Sequence, residues 1–423
     1  MTAAEGSGTA LREDCPEPDK QAVKKGYGLS AMSHLEVGLL TGDQDVHYPV
    51  SLAMTLIDKG INVDLIGSSR IESPKVQSNA RLRFLKLYPN LHGLSTASKI
   101  ERVIACYVEL IRYASTTKST ILHIQRNYKF DLFDRTVLML YFKLMGKKIA
   151  ITVHNVNTAR RDSKDSVLNR TSLKFQYKVA DHLFVHTTKM RNELIEQFQI
   201  DETAITVIPF GVNDAVPNSN LTSLEAKKRL GIGEGEKTIL FFGAIRPYKG
   251  LEYLVAAFQQ LAVRQGKLRL IIAGARKKGS EEYLDAIQRT IDQEPSREQV
   301  LQKIDFIPDD ETELYFKAAD VAVLPYTEIF QSGVLFLAYS FGLPVIATDV
   351  GSFAEDIVEG KTGFICKPSD AAGLAEAIQK YFESDLFLEL EHRRSGIREY
   401  VLSTNSWDRV GDLTIGVYSA LLS

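Results

Sequence analysis

The chain reads as two tandem doubly wound α/β domains. Short apolar runs of strand length recur along it, amphipathic segments with a helical period separate them, and one polar, turn-rich stretch near the middle interrupts the alternation. At 423 residues the chain exceeds one ordinary core, and two domains of roughly 200 residues each are expected.

Glu36–Leu40 is the first strand candidate, followed by a helical segment from Pro49 to Lys59 and a second strand, Asn62–Gly67. This is βαβ order, which requires a parallel connection. Residues 68–98 are polar and irregular. Lys99–Thr117 keeps a helical period through Ile100, Val103, Ile104, Tyr107, Leu110 and Ile111. Strands at Thr120–Ile124, Lys148–Val153, His182–His186 and Ala204–Pro209 alternate with helices at Leu132–Met145, Leu173–Ala180 and Thr188–Phe198. The Asn213–Asn220 stretch is the boundary. The second series has strands at Ile239–Phe242, Leu268–Ala273, Ile304–Ile307, Val321–Leu324, Val345–Ala347 and Phe364–Ile365. The expected organisation is a disordered tail 1–33, a domain 34–213, a linker 214–224, a domain 225–399 and a C-terminal helical segment 400–423 able to cross back to the first domain.

Hydrophobic content of 44% and charged content of 25% are those of a globular protein, and 51 basic against 53 acidic residues leave a formal charge of -2. No global field argues for nucleic acid. Cys15, Cys106 and Cys366 match no metal or disulfide spacing, which fits a reducing cytoplasm. The tail lacks the apolar centre of a signal peptide, and no stretch has the length and apolarity of a bilayer span. A cytoplasmic protein is expected.

In open α/β sheets ligands bind at the carboxyl ends of the strands, so the loops there carry the chemistry. Gly243-Ala-Ile-Arg-Pro-Tyr-Lys-Gly250 follows a strand and precedes a helix. It brings Arg246, Lys249 and a helix N-terminus to one edge, the outline of a pyrophosphate site. A solvated basic loop is the plain alternative. The Val321–Asp349 stretch is strand, polar loop, helix and strand, and its loop sets backbone N–H groups at a helix start. Gly342 suits the left-handed residue that ends this helix.

Residues 243–261 (GAIRPYKGLEYLVAAFQQL), 318–326 (AADVAVLPY) and 342–378, from GLPVIATD to GLAEAI, resemble a retaining glycosyltransferase of family 4, the large group 1. The resemblance is clear from about Lys237 to Gln379 and compatible from Glu36 to Val212. It implies the GT-B fold, two Rossmann-like doubly wound domains facing across a cleft. It also implies transfer of a sugar from a nucleoside-diphosphate sugar, held mainly by the second domain, to an acceptor held by the first. Arg246 and Lys249 match the family's basic pair on the diphosphate, so no metal and no cofactor is implied. Their charges oppose the negative charge that grows on the leaving group. His154 matches the family's strand-end histidine and is expected at the donor sugar; a histidine satisfied by its surroundings is the alternative. His123 and His186 are read as satisfied in that way. Gly243 and Gly42 fall in the two βα loops near the donor, and Ser332, Gly333, Val334 and Leu335 form a phosphate-facing turn.

The family's pair of glutamates falls on Ile329 and Leu337, neither acidic, and Glu328 is the neighbouring acid expected to substitute in the loop. Asp43-Gln44-Asp45 superficially matches a metal signature and is read as chance. The acceptor implied by the resemblance is a glycan or lipid-linked glycan, as in polysaccharide biosynthesis. Phe130–Lys148 is either a core-facing helix or a peripheral contact with the inner face of a membrane. The absent glutamates motivate a second reading, a nucleotide-sugar-binding partner subunit without transfer activity. An NAD-dependent oxidoreductase shares the outline but requires a Gly-x-Gly-x-x-Gly turn that the first βα loop lacks.

Overall fold

The computed structural model describes residues 35–42, 47–162, 164–212, 216–264 and 267–423. The predicted tail 1–33, the Asp43–Asp45 match and residues 213–215 of the predicted boundary lie outside the described residues. The chain divides into two compact units. The first takes the described residues up to Gly211 together with Asn405–Ser423, and the second takes Val212–Thr404.

In the first unit the strands are β1 (Glu36–Leu40), β2 (Asn62–Ser68), β3 (Leu82–Tyr88), β4 (Ile121–Ile124), β5 (Lys148–Val153), β6 (His182–Val185) and β7 (Ile205–Val207). They form one sheet in the order β3-β2-β1-β4-β5-β6-β7, every pairing parallel. Helices cover a parallel sheet on both faces, which is why β4 is apolar and buried at nearly every position. The C-terminal helix Trp407–Leu422 packs on His47–Asp58: Val410 and Tyr418 join Leu52, Leu56 and Val63 in one buried cluster. Gly211 admits it, since a Cβ there would meet the Trp407 ring at 2.4 Å.

In the second unit the strands are β8 (Lys237–Phe242), β9 (Leu268–Ala273), β10 (Val300–Lys303), β11 (Val321–Leu324), β12 (Val345–Thr348) and β13 (Gly363–Cys366). Their order is β10-β9-β8-β11-β12-β13, again parallel. In each sheet the order reverses once, between β1 and β4 and between β8 and β11. Loops leaving those strands diverge and open a crevice.

Three sequence expectations are corrected. The 68–98 region holds β3, an edge strand whose Arg83 and Lys86 are exposed while Leu82 and Tyr88 are buried. Charges on an edge strand blunt further pairing, and they mask the strand in sequence. The strand expected at Ile304–Ile307 lies instead at Val300–Lys303, because Lys303 pairs with Ala273, the last residue of β9, and the ladder ends there. Finally, Ile100, Ile104 and Ile111 on the Thr96–Thr116 helix do not face the core. Tyr107, Leu110 and Tyr113 do, and the three isoleucines are exposed.

Candidate active site

The second-unit site is built where β8 and β11 part. Gly243, at φ +100°, turns the chain out of β8. Buried Ile245 then anchors the loop, its amide donating to the Ala275 carbonyl at 2.9 Å. Arg246 follows, then the short turn Pro247–Lys249, then Gly250 at φ +62°. A Cβ on Gly250 would sit 2.0 Å from the Pro325 carbonyl oxygen. Only glycine therefore lets the loop after β8 lie against the loop after β11. Thr327 completes the seam, its amide donating to the Tyr248 carbonyl at 2.8 Å.

This seam places Lys249. The side chain is buried, its ammonium lies 5.1 Å from the centre of the buried Tyr326 ring, and it is 3.1 Å from where a Gly243 Cβ would be. A side chain at position 243 would push the cation away. Val334, at the start of the Gly333–Ser340 helix, comes within 3.5 Å of the same point. The structure thus brings Gly243, Lys249 and Val334 together. Ser332 is buried at the N-cap, yet its side chain makes no cap bond to its own helix. The Leu335 amide donates to the Ser332 carbonyl at 3.1 Å, whereas the amides of Gly333 and Val334 find no acceptor among the described residues. The buried Gln331 Oε1 likewise has no partner among them. Buried polar atoms without partners are uncommon in folded proteins, and each takes its missing bond from water, an ion or a ligand. Arg246 is half-buried and makes no side-chain ion pair among the described residues.

Glu328 is exposed on the loop, Ile329 is half-buried and Leu337 is buried in the helix. The backbone of this loop is clamped from a side that sequence reading missed. Gly351, at φ +63°, presses on the Ile329 and Phe330 carbonyls, where a Cβ would come within 2.4 and 2.5 Å, and the Ser352 amide donates to Phe330 at 3.0 Å. The available signal was the Asp349-Val350-Gly351-Ser352 turn directly after β12.

The first-unit site is a cleft of 720 Å³ at the carboxyl ends of β4 and β5. His154 lines it beside Gln125, Arg126, Asn155, Arg135 and Gln176. Apart from His154 none of these was expected; the signal was the polar run Gln125–Lys129 immediately after β4. Gly42 borders it at φ +69°, where a Cβ would meet the Arg126 Cβ at 2.7 Å. Gly42 and His154 belong to the first unit, and the remaining site residues belong to the second.

Behind the cleft wall runs a chain of buried polar groups. Tyr418 meets His123 Nδ1 at 2.5 Å, His123 Nε2 meets the Thr152 hydroxyl at 2.8 Å, and Gln125 Nε2 donates to Thr152 at 3.0 Å. Gln125 Oε1 meets His154 Nε2 at 3.1 Å, and His154 Nδ1 meets His186 Nε2 at 3.2 Å. A carbonyl oxygen only accepts, so His154 carries its proton on Nε2, toward Gln125, and His186 carries its own on Nδ1, toward the Ile208 carbonyl at 3.4 Å. Burial lowers these imidazoles: His123 to about 3, His186 to about 4, and His154 well below its ordinary value. All are neutral at pH 7. His154 thus lines the cleft with its Nε2 proton engaged by Gln125 and its Nδ1 beside His186.

A family model described as glycosyl transferases group 1 matches residues 223–398, and one described as Glycosyltransferase Family 4 matches residues 47–216. The D-inositol 3-phosphate glycosyltransferase of Corynebacterium diphtheriae is 24% identical over 357 residues, 80% of this chain and 81% of that protein. That of Corynebacterium efficiens is 27% identical over 242 residues, 55% of each chain. The chain therefore spans about half the length of several curated relatives it matches. Sucrose-phosphate synthase from Thermosynechococcus elongatus superposes with a TM-score of 0.73 at 19% identity, over 92% of this chain and 99% of that one. Anabaena HepE in complex with UDP and glucose superposes with a TM-score of 0.72 at 15% identity, over 92% and 100%.

Proposed function

Because the chain belongs to the group 1 glycosyltransferases and has the GT-B fold, we propose that it moves a sugar from a nucleoside-diphosphate sugar to a glycan or lipid-linked glycan. The reaction is retaining and metal-independent in this reading. The observation that carries it is the second-unit cluster, in which a buried lysine and the start of the Gly333–Ser340 helix meet at Gly243, with two helix-start amides lacking an acceptor among the described residues and an N-cap serine that makes no bond to its own helix. A diphosphate satisfies all of them at once: Lys249 and Arg246 supply charge, and Ser332 with the Gly333 and Val334 amides supplies donors.

As the anomeric bond breaks, negative charge accumulates on the leaving diphosphate. Fixed cations and dipoles stabilise that charge more than they stabilise the bound donor, which lowers the barrier. The phosphate oxygen then takes the proton from the attacking acceptor hydroxyl on the same face, and configuration is retained. Glu328 is the acid of the donor loop, His154 meets the donor sugar, and the first-unit cleft holds the acceptor. The relatives named for D-inositol 3-phosphate support a polyhydroxylated acceptor.

Titration with UDP, UDP-sugars and GDP-sugars tests the donor site. The Arg246→Ala/Lys249→Ala variant should weaken nucleotide binding by about 100-fold, two charge-assisted bonds being lost. Unchanged affinity overturns the assignment. One observation favours a second reading, a nucleotide-sugar-binding partner subunit: Leu337 and Ile329 stand where the family's glutamates do, and Leu337 is buried. Nucleotide-sugar binding without turnover on a panel of acceptors would decide for it.

A further inference from the structure

The Thr96–Thr116 helix turns a second apolar stripe outward. Ile100, Ile104 and Val108 are 56%, 58% and 55% exposed, one turn apart, and Ile111 continues the row. On the neighbouring segment a π-turn, Asp134–Leu138, shifts the helical phase so that Asp134 and Leu138 face inward. Val137, Leu140 and Leu144 then point out, the last 79% exposed. The two rows share one face. The Tyr141 hydroxyl donates to the Ile111 carbonyl at 3.2 Å, Tyr107 packs on Phe133 at 5.1 Å, and Ile100, Ile104 and Phe130 line a common groove of 620 Å³. A contiguous aliphatic face of this kind marks an interaction surface.

Its charge pattern selects the occupant. Between Lys99 and Lys118 there are four basic and two acidic residues, and between Lys129 and Lys148 five and two. The two segments carry net +5 in a chain of formal charge -2. Exposed Lys99 and Lys129 stand at the groove, and exposed Lys118 and Lys148 at the far end of the helices. Apolar stripes bounded by lysines suit an interface whose interior is hydrocarbon and whose surface is anionic. A second copy of the chain would set like charges opposite one another.

We propose that this two-helix face docks the first unit on an anionic lipid surface, the aliphatic stripe entering the acyl boundary and the lysines meeting the headgroups. Leu91, His92 and Lys129 line both the apolar groove and the 720 Å³ polar cleft. A lipid-borne acceptor therefore reaches the cleft along the docked face, a corollary that rests on the transferase reading.

Sedimentation of the full chain with vesicles tests the docking. Vesicles of equal phosphatidylcholine and phosphatidylglycerol should bind at least about tenfold more tightly than phosphatidylcholine alone, with loss on adding salt. The Ile104→Glu/Leu144→Glu variant should lose about tenfold or more, and Lys118→Glu/Lys148→Glu about fivefold per reversed lysine. These positions are exposed, and an unchanged circular dichroism spectrum and unchanged UDP affinity certify the fold. Absence of binding to the mixed vesicles overturns the proposal, as does equal binding by Ile104→Glu/Leu144→Glu. So does a dimer of the native chain that this variant abolishes. Docking without affinity for UDP or for any UDP- or GDP-sugar would instead sink the transferase reading and leave the docking standing.

Discussion

Gly250 shows how one residue sets the site proposed for the donor. Its positive φ and its contact with the Pro325 carbonyl leave no room for a Cβ, so the basic loop and the loop after β11 meet only through glycine. The Gly250→Ala variant should destabilise the second unit by roughly 2–4 kcal/mol through backbone strain and displacement of the neighbouring loop. It should also weaken nucleotide binding, since Lys249 is the residue before it. Urea unfolding paired with UDP titration checks both; a stable variant with native affinity would show that the seam tolerates separation. Gly243 follows the same logic more gently, because the group its Cβ would meet is the movable end of Lys249.

At the scale of elements, the carboxyl ends of β4, β5 and β6 are tied together by the buried histidine chain, and the C-terminal helix closes it through Tyr418. Burial depresses the folded-state pKa of His186 to about 4, of His182 to about 4 and of His123 to about 3, all below the unfolded value near 6.5. The unfolded chain therefore binds protons that the folded unit refuses. Stability from these neutral imidazoles is fully present above pH 6.5 and is lost as pH falls toward 4. For His186 the loss is on the order of 3 kcal/mol. Trp407, the sole tryptophan of the sequence, sits on Gly211 in the same unit and reports its unfolding by fluorescence. Urea midpoints that stay constant from pH 7 to pH 4.5 would contradict the neutral-histidine account.

The two-helix face is an element-scale result of another kind. Ile100, Ile104 and Ile111 keep the period of a core-facing helix, yet Val103, Tyr107 and Leu110 already satisfy the core. Periodicity reports that two apolar stripes exist; it does not say which one the fold covers.

For the whole molecule, the two units have separate sheets and separate cores, and the cluster proposed to bind nucleotide lies wholly in the second. A ligand stabilises what it binds. UDP at 100 times its dissociation constant should add about 2.7 kcal/mol to the second unit. Its thermal transition should rise while the Trp407-reported transition of the first unit stays in place. A shift confined to the tryptophan signal would put the nucleotide on the first unit instead.

The alternation of apolar runs with helical periods was enough, by itself, to establish two parallel α/β domains, because a buried parallel strand must be apolar at nearly every position. Local spacing also located Arg246, Lys249 and the Ser332–Leu335 turn, since a strand-loop-helix junction writes its glycines and caps into adjacent residues. Tertiary structure decided what depends on residues distant in sequence. Gly250 meets Pro325, Gly351 clamps Ile329 and Phe330, Tyr418 reaches His123, and His154 donates a hydrogen bond to Gln125. It also decided which stripe of the Thr96–Thr116 helix is covered. Such contacts are set by the crossover of whole strands and helices, and no local period encodes them.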